Sequence, residues 1–138
     1  MNNLKDIFIE NLRGENLKNK KCIVRVDFNV PLSSENKLLD DTRIKAVKET
    51  IDFLIAKKAK VILISHMGRP KGKTNPNFSL TKIIDSIELI LKYQIHLIDV
   101  NEKNEFIHNS ISNIKSNQII MFENIRFNPE EESYSDKF

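Results

Sequence analysis

Four short runs rich in Ile and Val punctuate the chain, at 22–27, 60–65, 95–99 and 118–122. Most are almost continuously apolar, the pattern of strands covered on both faces. Between the first two, Ile44, Val47, Ile51, Leu54 and Ile55 recur at helical spacing, with Asp41 and Thr42 available as N-caps. Between the second and third, Leu80, Ile83, Ile84, Ile87 and Leu91 share one helical face behind Ser79, a candidate cap. The third connector also fits a helix through Ile107, Ile111 and Ile114, against the competition of nearby Asn and Ser side chains for backbone hydrogen bonds. Strands alternating with helices imply right-handed crossovers. The expected fold is α/β: a doubly wound, mainly parallel sheet with helices on both faces, a Rossmann-like three-layer arrangement.

At 138 residues the length predicts one domain, and 40% apolar residues suffice for an ordinary core. The net charge of +3 is small, with lysines interleaved among acids, so charge does not favour nucleic-acid binding. The opening stretch carries Lys5, Asp6, Glu10 and Arg13, which breaks any leader-like apolar core, and no run approaches the ~20 residues that span a bilayer. A soluble, cytoplasmic protein is expected. Cys22 is the single cysteine, which excludes an internal disulfide and a multi-cysteine zinc site; its apolar neighbours suit a core residue.

In an open parallel sheet, ligands bind beyond the carboxyl ends of the strands. The first run ends in "VDFNVPL", which delivers Asp27 and Asn29 at alternate positions and so to one side. Taken alone, that stretch reads as a turn. The second ends in "SHMGRP", where Gly68 allows a tight bend and Pro70 stops the strand, so His66 and Arg69 ride on one short loop. A Ser65–His66 catalytic pairing fails because adjacent strand residues point apart. The fourth run ends in "MFENIRFNPEEE", which brings Arg126 to the same edge, and Arg43 opens the first helix there. Three arginines and a histidine from four separated segments are predicted to converge. Arginine forks pair with carboxylate and phosphate oxygens, so the expected ligand is small and multiply anionic. The only glycines are Gly14, Gly68 and Gly72, which leaves neither a GxxxxGK[ST] loop nor a GxGxxG turn for a nucleotide. For "PEEESYSDKF", a solvated helix start is preferred to a metal site.

Together, "CIVRVDFNVPL", "DDTRI", "SHMGRPKG" and "FENIRFNPEEE" closely resemble the N-terminal, phosphoglycerate-binding domain of the phosphoglycerate kinase family. Four motifs in the family's order over 22–132 are highly specific, although Met67 stands where leucine is common and Asn128 where histidine is common. The resemblance implies a glycolytic transferase, a kinase that moves a phosphoryl group between 1,3-bisphosphoglycerate and ADP to give 3-phosphoglycerate and ATP, with Mg on the nucleotide. It implies that Asp27 and Asn29 bind the substrate's hydroxyl and carboxylate region, and that His66, Arg69 and Arg126 form its phosphate cradle. Arg43 resembles the family's catalytic arginine, which contacts the carboxylate and steadies the transferring phosphoryl. Residues 1–138 then make up a partial N-terminal domain. The ATP-binding domain and a further substrate arginine of the family are absent, no nucleotide or metal is expected on these residues, and the complete enzyme is expected to be a monomer without nucleic-acid or membrane partners. Two other readings stay open: a non-catalytic module that binds small anions, and an α/β fragment whose motif residues only shape turns.

Overall fold

The computed structural model describes residues 12–133 and Asp136. The opening stretch considered above therefore lies, up to Asn11, outside the described residues. Strands β1 (Lys21–Arg25), β2 (Lys60–Ile64), β3 (Gln94–Ile98) and β4 (Gln118–Phe122) form one parallel sheet in the order β1-β2-β4-β3. The strands fall within two residues of where the apolar runs place them.

The strand order explains which face each helix covers. From β1 to β2 and from β2 to β3 the chain steps the same way across the sheet; from β3 it steps back to β4. Crossovers of one hand put connections that step in opposite directions on opposite faces. Accordingly α1 (Thr42–Ala46), α2 (Lys48–Ala56) and α3 (Ile84–Leu91) share one face, and α4 (Asn104–Ser112) takes the other. Ile44, Ile51, Leu54, Ile83, Ile87 and Leu91 pack on Val61, Leu63, Ile119 and Met121. Ile111, with Ile107 and Ile114, packs on Ile62, Ile98 and Ile120. The doubly wound, three-layer expectation holds.

Local details depart from the sequence reading for identifiable reasons. The first helix is interrupted at Val47, whose N–H reaches back three residues to the Ile44 carbonyl (3.4 Å) in a tightened turn. Its start is stabilised by neither predicted cap: Asp40 Oδ1 accepts the Thr42 N–H (2.9 Å), while Asp41 is drawn into an ion pair with Lys45 (2.7 Å). The second helix opens as a 3₁₀ turn, Leu80–Ile83, with Ser79 Oγ accepting from Thr81 N–H (3.2 Å), and ends at Lys92 in a left-handed conformation. A last helix, α5 (Pro129–Glu132), follows Asn128, whose Oδ1 accepts the Glu130 N–H (2.9 Å), and its proline occupies the first turn as anticipated. Among the described residues no helix is long and apolar enough to cross a membrane.

Candidate functional site

The carboxyl ends of β1, β2 and β4 continue as a seam of hydrogen bonds. Val26 N–H donates to the Ile64 carbonyl (2.9 Å), and Ile125 N–H to the Ser65 carbonyl (3.1 Å). Beyond β1 the chain buries Val26, Phe28 and Val30 and leaves Asp27 and Asn29 exposed, with a tight turn at Asn29 in which the Val30 N–H donates to the Phe28 carbonyl (2.9 Å). This is the same-side placement that their spacing predicts. Ser65 is not part of a catalytic pair; its buried Oγ accepts the Phe28 N–H (3.0 Å) and pins the β1 loop to β2.

Arg43, on the first turn of α1, reaches this loop. Its Nη1 donates to the Asn29 carbonyl (2.7 Å) and to Asp27 Oδ1 (3.1 Å). Asn29 then passes the connection to the β2 loop, its Oδ1 accepting the Gly68 N–H (3.1 Å). Arg126 approaches from the β4 side, with Nη1 3.5 Å from the Gly68 carbonyl. Arg43, Asp27, Asn29, Gly68 and Arg126 are thus linked by one continuous chain of polar contacts. Gly68 has φ +59°, and a Cβ there would lie 2.3 Å from the Phe78 ring, so glycine is required by both backbone and space.

His66 is half-buried. That burial, followed by the field of Arg126 and more weakly that of Arg25, holds its imidazole below the usual value against the opposing pull of Asp27 and Glu131. Arg69 is exposed on the residue after Gly68, and its side chain makes no ion pair among the described residues. No hydrogen bond or ion pair among the described residues joins the Arg69 side chain to the other candidate residues, so the structure does not bring its guanidinium into the polar chain.

Two residues that the motif reading passed over hold these loops. Asn124 is fully buried; its Nδ2 donates to the Met67 carbonyl (2.7 Å) and the Phe78 carbonyl (2.9 Å), and its Oδ1 accepts the Arg126 N–H (3.1 Å). Glu123 accepts from Ser79 Oγ (2.6 Å) and from the Leu80 (2.8 Å) and Asn124 (2.7 Å) amides. Their only sequence signal is a Glu-Asn pair just past an apolar strand, where side chains can reach orphaned backbone groups. Arg25 was also missed: it lies on the face of β1 opposite the main core and meets Glu131 of α5 at 3.6 Å.

Chemically, the site offers guanidinium forks, a partly buried imidazole and a backbone loop closed by Gly68, beside one carboxylate already engaged by Arg43. It suits a small anion bearing a hydroxyl.

The comparisons agree in direction. The family model described as Phosphoglycerate kinase matches residues 10–138. Among curated proteins, the chain is 40% identical over 130 residues to a phosphoglycerate kinase of Coprothermobacter proteolyticus, covering 94% of this chain and 33% of that protein. It is 42% identical over 121 residues to one from Pseudothermotoga lettingae, covering 88% and 30%. Among solved structures, the phosphoglycerate kinase of Pyrococcus horikoshii OT3 superposes with a TM-score of 0.71 at 29% identity, over 95% of this chain and 29% of that one. That of Coxiella burnetii gives 0.66 at 33% identity, over 83% and 28%. The chain thus spans about a third of the length of the curated relatives it matches, 33% and 30% in these two cases. With the family model covering nearly all of the sequence, the chain belongs to the phosphoglycerate kinase family.

Proposed function

We propose that this chain supplies the phosphoglycerate-binding half of a cytoplasmic, glycolytic phosphoglycerate kinase, as a partial N-terminal domain, and that unaided it binds the acid without transferring phosphate. The observation that carries the reading is the polar chain from Arg43 through Asn29 and Gly68 to Arg126, which ties the ends of three strands into one anion-facing edge. Asp27 and Asn29 receive the hydroxyl and carboxylate end of 3-phosphoglycerate, and His66, Arg69 and Arg126 its phosphate.

In the proposed reaction a β-phosphate oxygen of ADP attacks the acyl phosphorus of 1,3-bisphosphoglycerate. The new P–O bond forms as the bond to the carboxyl oxygen breaks, leaving 3-phosphoglycerate as its carboxylate. No protein nucleophile is needed, because positioning and charge stabilisation carry such a transfer. Arg43 is the catalytic residue: released from Asp27, its guanidinium spans the carboxylate and the migrating phosphoryl. The described residues do not fit a magnesium nucleotide. Asp27, the carboxylate paired directly with Arg43, is held by that contact, and the sequence has no glycine-rich phosphate loop. Mg with ATP or ADP is therefore assigned to the part of the family's architecture that this chain does not match.

The test is an amide NMR titration of the 138-residue chain with 3-phosphoglycerate, with magnesium ATP as control. The acid should shift Asn29, Arg43, His66, Gly68 and Arg126 while ATP does not, and Arg43→Ala should weaken binding about 10- to 100-fold, as loss of a charge-assisted contact predicts. Unchanged affinity in Arg43→Ala, or no response to the acid, defeats the assignment.

A further inference from the structure

Glu131 stands between two arginines. Its Oε1 lies 3.6 Å from Arg25 Nη2 and its Oε2 lies 3.7 Å from Arg126 Nε, while Glu132 Oε1 lies 3.5 Å from the same Nε. A charge-assisted hydrogen bond is shorter, at about 2.7–2.9 Å, and the buried Arg126 Nε in fact donates to nothing among the described residues. Arg126 is therefore neutralised by proximity without being locked by geometry. The two oxygens of the Glu131 carboxylate meet two different guanidiniums, the same bridging that two oxygens of a phosphate group make.

The placement of Glu131 is firm even though its contacts are long. Its side chain is only 11% exposed. A Cβ added to Gly72 would lie 2.7 Å from Pro129, so the loop after Arg69 and the start of α5 are in tight contact, and the Gly72 N–H also donates to the Arg126 carbonyl (3.1 Å). The segment that carries the carboxylate is thus packed against the loop that follows Arg69, and that loop is hydrogen-bonded to the backbone of Arg126.

Resting on the proposed function, we infer that Glu131 is a built-in competitor at this anion site: its carboxylate competes with the ligand for Arg25 and Arg126 and must be displaced. Every anion that uses the two arginines loses the same increment of affinity, so weak anions fall below useful binding while a strongly held one still occupies the site. His66 reports the exchange, since its ring feels Arg126, Asp27, Arg25 and Glu131 together.

The experiment titrates the 138-residue chain with sodium acetate, with inorganic phosphate near pH 8 and with 3-phosphoglycerate, following backbone amides and the His66 ring by NMR in wild type, Glu131→Gln and Glu132→Gln. Displacement predicts that Glu131→Gln tightens acetate and phosphate by the same factor, about three- to tenfold, because one competitor is removed for both. Glu132→Gln, which removes a more exposed carboxylate, should act in the same direction and less; if Glu131→Gln does not fold, the sign of the Glu132→Gln effect decides. Weaker binding of both anions would mean that the carboxylate orients Arg126, and a gain clearly larger for doubly charged phosphate than for singly charged acetate would mean fixed repulsion without displacement; either overturns the inference. If wild type binds 3-phosphoglycerate and Glu131→Gln weakens it, the competitor idea fails and the proposed function stands. If phosphate binds with the predicted gain and 3-phosphoglycerate does not bind, the reverse holds. Absence of binding to every variant removes both.

Discussion

Asn124→Ala tests most directly what holds the site together. The side chain is fully buried and serves three backbone groups on three segments: the carbonyls of Met67 and Phe78 and the amide of Arg126. Alanine leaves all three without that partner. An unsatisfied buried polar group costs about 1–3 kcal/mol. The Met67 carbonyl, the most enclosed of the three, is assigned about 2 kcal/mol, and the other two, which water can reach after the change, about 1 each. The expected loss is about 4 kcal/mol, a large fraction of the roughly 5–15 kcal/mol that stabilises an ordinary domain. Urea unfolding followed by far-ultraviolet circular dichroism measures it, provided the slope against denaturant is unchanged. Asn124→Asp adds a check of sign: it keeps the acceptor for Arg126 but sets a carboxylate against two carbonyls. That variant should be at least as unstable as alanine at pH 8 and recover as acid protonates the new group and gives it a hydrogen to donate. A loss below about 1 kcal/mol for alanine, or an aspartate variant as stable as wild type at pH 8, would show that these hydrogen bonds do not carry the loop.

Gly68→Ala should cost about 1 kcal/mol from its left-handed backbone and more from the clash with Phe78, so that Phe78→Ala relieves part of the damage in the double variant; simple additivity of the two in urea titrations would contradict this. Because the fold lowers the His66 pKa, His66 favours folding in its neutral form. Its contribution is present above the ordinary value of 6.5 and is lost as pH falls from there through the folded pKa, so the slope of melting temperature between pH 5 and 7 should flatten in His66→Gln; an unchanged slope would be the contrary result. Tyr93 donates to Asp52 Oδ1 (2.8 Å), and partial burial with that hydrogen bond and the Asp52 charge pushes its phenol up to about 12. Its stabilising effect is complete below pH 10 and fades as pH rises through the folded value, and Tyr93→Phe should cost about 1 kcal/mol at pH 8 and abolish the alkaline ultraviolet titration near 12, which would otherwise persist.

The sheet was legible because its two central strands, β2 and β4, are buried on both faces. Ile62 and Leu63, or Ile120 and Met121, are adjacent residues that enter opposite cores, and only a two-sided strand needs apolar residues at both. The cations could be located for a related reason: with the strands placed, Arg43, His66 and Arg126 must lie at the carboxyl edge. Strand order was not legible, because nothing within β3 or β4 states which of them neighbours β2. Asn124 and Glu123 escaped notice because most of their partners are main-chain groups, those of Met67, Phe78 and Leu80 on distant segments, and backbone carries no sequence signature. Asp40 took over helix initiation from Asp41 for a competitive reason: Lys45, one turn along, claims the nearer carboxylate.

Placing β4 between β2 and β3 has a kinetic consequence. The last of the four described strands in chain order enters the middle of their sheet, and the contacts that bring Arg126 and its neighbours to the β2 loop, Ser65 with Ile125, Met67 with Asn124 and Gly68 with Arg126, all cross that one seam. A chain that has reached α4 already carries Asp27, Asn29, Arg43, His66 and Arg69 but neither Arg126 nor the seam that sets the β2 loop against it. Parallel pairing of strands so far apart in sequence is slow to form. The full set of candidate cations therefore assembles with the slowest of these pairings, so that ligand capture reads out the docking of β4 and the ligand can drive that step only by trapping chains that have already taken it.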